Sequence, residues 1–126
     1  MKQHLPSRIL FWAPRVLGIL FALFISIFAL DVFGQGYGFW GTIVALFMHL
    51  IPVYILLLAL AISWRWEWAG VLLFAGFSIW YLATSWGPYP LGFILAGAWP
   101  IAGPPLLVAL LFLLNWLYKP KLYAAA

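Results

Sequence analysis

The sequence predicts an all-α, polytopic membrane protein: four transmembrane helices in an up-down bundle forming a single domain over residues 1–126. Three observations predict it. Hydrophobic residues make up 68% of the chain and charged residues 6%, against roughly 45–50% and about 25% in soluble domains. A soluble protein this small has too little interior to hide so much apolar surface, whereas lipid lets apolar side chains face outward. The apolar residues also fall into four long runs, and every Lys and Arg lies at alternate ends of those runs.

A span needs about 20 mostly apolar residues. The first runs from about Ile9 to Leu30 and is closed by Asp31. Lys2 and Arg8 resemble the basic start of a secretory signal. Phe28-Ala29-Leu30-Asp31 is too bulky for a cleavage site, however, so the segment reads as a retained helix. Gly34-Gln35-Gly36-Tyr37-Gly38 supplies the first turn, because glycine accepts backbone angles other residues avoid. The second span covers about Gly41 to Ile62, followed by the link Ser63-Trp64-Arg65-Trp66-Glu67-Trp68. The third covers about Ala69 to Ser85, ended by Trp86-Gly87-Pro88-Tyr89-Pro90. The fourth, about Leu91 to Leu117, is the longest. Pro100, Pro104 and Pro105 each remove an amide donor and crowd the carbonyl four residues back, and Gly103 adds freedom. A kink or break at Gly103–Pro105 is therefore expected. Barrel strands would alternate apolar and polar residues, but Val16–Leu30 and Ile55–Ile62 are apolar on every side.

Lys2, Arg8, Arg15, Arg65, Lys119 and Lys121 all fall on one side of a four-span topology. The positive-inside rule makes that side cytoplasmic, with both termini there. Trp12, Trp64, Trp66, Trp68, Trp116 and Tyr118 mark the cytoplasmic boundary; Tyr37, Trp40, Trp86 and Tyr89 mark the outer one. Small residues recur every fourth position at Gly18, Ala22 and Ser26, and again at Gly92 and Ala96. Such faces let helices approach closely, within the bundle, in self-association or against another membrane protein.

The polar residues within reach of the membrane are the functional candidates, because ionisable groups there are costly. Arg15 either snorkels to the headgroups or pairs with Glu67, the one acid on its side. Asp31 sits hydrated at the outer mouth or attracts cations there. His49 lies about 12 Å in from the outer start of the second span at the helical rise. It is expected to bond a hydroxyl of Ser26, Ser78 or Thr84, with a proton relay as its functional alternative. Haem or metal ligation by histidine would need a second subunit, since His4 is expected at the opposite surface. No cofactor, metal site or nucleic-acid role is expected. The chain has no cysteine, and no carboxylate pair, nucleophile elbow or phosphate-cradling loop is present.

The segments Arg8-Ile9-Leu10-Phe11-Trp12-Ala13-Pro14-Arg15, Trp64-Arg65-Trp66-Glu67-Trp68 and Leu113-Leu114-Asn115-Trp116-Leu117-Tyr118 resemble a family of small bacterial four-helix membrane proteins of unknown function. That resemblance implies the bacterial inner membrane and carries no catalytic or binding residues. The expected function is a non-enzymatic accessory, assembly or scaffold subunit of a membrane complex. The alternative is a small ion or proton channel or carrier built on His49, Asp31 and a broken fourth helix.

Overall fold

A computed structural model describes the chain over residues 4–124, and its side chains over residues 7–119. The basic residues Lys2 and Lys121 and the side chain of His4 lie outside the described residues. Five α-helices and one 3-10 segment account for the structure, with no strand among the described residues. They are α1 (His4–Ile27), the 3-10 segment Phe28–Gly34, α2 (Gly38–His49), α3 (Ile51–Arg65), α4 (Glu67–Thr84) and α5 (Leu91–Ala124). By length and composition three stretches can cross a membrane: Ser7–Gly34, Glu67–Thr84 and Leu91–Lys119. A fourth crossing exists if α2 and α3, bent by 41° at their junction, count as one span.

Local chemistry explains the boundaries. The first turn needs left-handed backbone, and glycines supply it at Gly36 (φ +71°) and Gly38 (φ +76°). The link expected over Ser63–Trp68 shrinks to one extended residue, Trp66 (φ −122°, ψ 96°). Its amide closes α3 on the Ile62 carbonyl, and its own carbonyl opens α4 by accepting from the amides of Ala69 and Gly70. Pro90 does the same for α5, its carbonyl accepting from the amides of Phe93 and Ile94.

The expected break in the fourth span does not occur, and one appears elsewhere. α5 continues as one helix from Leu91 to Ala124, through Pro100, Gly103, Pro104 and Pro105. The break falls instead in the second span, at Leu50, just before Pro52. Each of these prolines removes one hydrogen bond, so the difference lies in packing. α5 lies along both α4 and α1, whose contacts support it across its prolines. α2 touches the 3-10 segment and α3 and has no buried residue, so nothing offsets the bond missing at Pro52.

The core is shared among α1, α3, α4 and α5: Phe21, Leu56, Leu60, Phe74, Val108, Ala109 and Phe112 pack together. Small residues set the spacing. A Cβ added at Gly18 would lie 2.9 Å from Leu60 Cδ1, so this glycine lets α3 approach α1, and Ala22 one turn on is also buried. Gly92 and Ala96 are exposed and make no such close approach within the chain. The outer surface carries large apolar side chains on every helix, Leu58, Leu72, Ile79 and Phe93 among them. Apolar exposure on this scale calls for a lipid or protein covering.

Candidate functional site

At the end of the bundle where α3 turns into α4, polar side chains from α1, α4 and α5 meet a carbonyl of α3. Arg15 is fully buried, about five-sixths of a turn short of the core glycine Gly18. Its guanidinium faces Glu67, with Nη2 3.7 Å from the carboxylate Oε1. The same Nη2 donates to the Trp64 carbonyl at 3.2 Å, and Nη1 donates to the Phe11 carbonyl of its own helix. The flat cation lies over the Phe11 ring at 3.6 Å, with the Trp64 and Phe112 rings within 5.3 and 5.5 Å. An arginine suits this place because its fork serves several acceptors and its face stacks on aromatics.

Glu67 is the acceptor on which the cluster converges. Its Oε1 accepts from Asn115 Nδ2 at 2.8 Å and from Lys119 Nζ at 3.4 Å. Asn115 and Lys119 stand four apart on α5 and so share one face. Glu67 is also the first residue of α4, where the free amides and the helix dipole favour a negative charge. Beside it, buried Ser63 donates to the Ala59 carbonyl, and Gly70 leaves room for Phe112: an added Cβ would come within 2.8 Å of that ring. Trp12 meets Trp64 edge to face at 5.9 Å and covers the outside. Chemically this is a tie across three helices: one carboxylate oxygen of α4 receives two donors from α5 and faces a cation from α1.

The structure thus brings Arg15 and Glu67 together. It does not bring His49 or Asp31 to them, nor to each other by any bond among the described residues. His49 is exposed at the α2–α3 bend, its Nδ1 hydrogen-bonded to the Ala45 carbonyl at 2.9 Å. The hydroxyls expected to serve it are committed to backbone carbonyls elsewhere: Ser26 to Leu23, Thr84 to Trp80 and Tyr81, and Ser78 to Phe74 and Ala102. Ser26 lies on α1 and Ser78 and Thr84 on α4, whereas α2 packs on the 3-10 segment and α3. Asp31 is exposed within the 3-10 segment, and Gln35 donates to its backbone carbonyl. Asn115 is the member of the cluster that sequence reasoning missed. Its signal was the spacing to Lys119 at the same end as Glu67, an acid that needs donors in an apolar setting. Among the described residues no group of three or more His, Cys, Asp or Glu is placed to hold a metal ion.

No curated protein and no solved structure matches this chain. A family model described as Domain of unknown function (DUF7670) matches residues 1–123, and the chain belongs to that family.

Proposed function

We propose that this member of the family is a non-catalytic, multi-pass subunit of the bacterial inner membrane that joins a larger membrane complex through α2. The observation that carries the reading is that α2 has no buried residue while the other four helices are tied together. At 12 residues α2 is about 18 Å long, too short to cross a hydrocarbon layer of about 30 Å alone. In lipid, helices are held by close packing and interhelical hydrogen bonds, not by a hydrophobic drive. A helix splayed from its own bundle, presenting Trp40, Val44 and Phe47, is completed by contact with a helix of another protein.

Both termini are cytoplasmic in this reading. The contacts of Arg15 with Trp64 and of Glu67 with Lys119 support it, because they gather the start of α1, the α3–α4 junction and the end of α5 at one face. Arg8 and Arg65 belong to that same end. The transport reading fares less well, since the broken fourth helix on which it drew is a continuous one.

A photoreactive amino acid placed at Val44 or Phe47, in native membranes at native expression, tests the reading. A discrete protein adduct absent from a control at lipid-facing Leu72 is expected. Lipid adducts alone at all three positions would exclude a partner at α2.

A further inference from the structure

We propose that the groove between α1 and α5 binds a long apolar alcohol from the lipid phase, with the alcohol's hydroxyl donating to the Pro100 carbonyl. The groove holds about 570 Å³, and its walls include Leu17 of α1 and Trp99, Pro100, Gly103, Pro104 and Leu107 of α5. That volume lies within the roughly 300–1,000 Å³ of small-molecule sites, which are mostly apolar with a few placed polar groups.

The polar group follows from covalent structure. Each helical carbonyl receives the amide four residues ahead, and Pro104 has no amide hydrogen to offer Pro100. Both residues line the groove, which sets the ring that withholds the helical donor beside the residue left without it. On the buried side of α5 the Ala102 carbonyl receives the Ser78 hydroxyl at 2.8 Å. On the groove side, Trp99 is the one lining side chain with a donor. Its indole lies against Gly103, where an added Cβ would sit 3.3 Å from Nε1. The space above Gly103 is therefore flanked by one acceptor and one donor. A hydroxyl, which both donates and accepts, satisfies the two together.

Depth and shape select the rest of the ligand. Pro104 stands near the middle of the Leu91–Lys119 span, where water is absent and a carbonyl without a donor is costly. A charged headgroup is excluded at that depth by its own desolvation, whereas a neutral hydroxyl on an apolar body is not. From Trp99 to Leu110 the groove follows about 16 Å of helix, roughly half a bilayer. A partner helix would need a longer seat.

The test compares farnesol with its methyl ether, by competition against radiolabelled farnesol on the full-length protein in nanodiscs. Farnesol is expected to bind about five-fold more tightly, the effect of one net neutral hydrogen bond. Pro104→Ala returns an amide to the Pro100 carbonyl and is expected to erase that preference without weakening the ether. Leu107→Trp, at a half-exposed position, fills the groove and is expected to abolish binding of both; it decides the matter if the proline variant does not fold. Absence of saturable farnesol binding, equal affinities in the unaltered protein, a preference that survives Pro104→Ala, or binding that survives Leu107→Trp would each overturn the proposal. So would capture of a protein chain, in place of the alcohol, by a photoreactive residue at position 107.

Discussion

Removing Glu67 alone should unfold the protein far more readily than removing Glu67 together with Arg15. At 3.7 Å the two charges attract by about 4 kcal/mol at an effective dielectric near 20. Arg15 is fully buried, so Glu67→Leu leaves a buried cation without the carboxylate it faces. Breaking a buried pair in this way costs about 3–5 kcal/mol. Arg15→Met should cost less, about 2–3 kcal/mol, because Glu67 keeps the charge-assisted bond from Asn115. Lys119 adds about 0–1 kcal/mol, being half exposed. The double variant Arg15→Met/Glu67→Leu buries no lone charge and should lose about 0–2 kcal/mol, since apolar replacements of buried pairs are often near neutral. Unfolding in mixed micelles with increasing SDS, followed by tryptophan fluorescence, measures all three. Additive losses would show that the two residues do not interact and would refute the tie.

Other expectations follow from single contacts. Gly70→Ala should destabilise by about 1–3 kcal/mol, because its Cβ would meet Phe112 and Ser63 within 3 Å. Gly76→Ala, in open space on the same helix, should be neutral or stabilise by up to about 1 kcal/mol in the same titration. Ser78→Ala should cost about 1 kcal/mol by withdrawing the donor to the Ala102 carbonyl, with near-normal secondary structure by circular dichroism. Pro52→Ala returns a donor to the Met48 carbonyl and should straighten the 41° bend, lengthening the distance between spin labels at Trp40 and Trp64. Because the chain has no cysteine, Gln35→Cys gives a single thiol; a membrane-impermeant maleimide should label it in spheroplasts without lysis.

The helices and their turns were legible because their causes are local. Long apolar runs declare spans, and Gly36 and Gly38 declare a turn that only glycine makes cheaply. The Arg15–Glu67 contact was legible because one acid and few bases at one membrane face leave few pairings. What the chain does not spell out is which proline matters. Pro52 and Pro104 remove the same kind of hydrogen bond, and the neighbours differ where one helix breaks and the other continues. α5 has α1 and α4 beside it, and α2 has neither. What the sequence did not show for His49 is its partner, the Ala45 carbonyl one turn back on its own helix.

The shared carboxylate also imposes an order of events during biosynthesis. Arg15 leaves the ribosome with the first helix, well before Glu67 exists, and Asn115 and Lys119 come almost last. Until Glu67 follows with α4 the guanidinium has no counter-charge and must wait at the headgroups. The amino-terminal helix can thus take its final depth only once α4 has arrived, and α5 then adds the donors that satisfy the carboxylate.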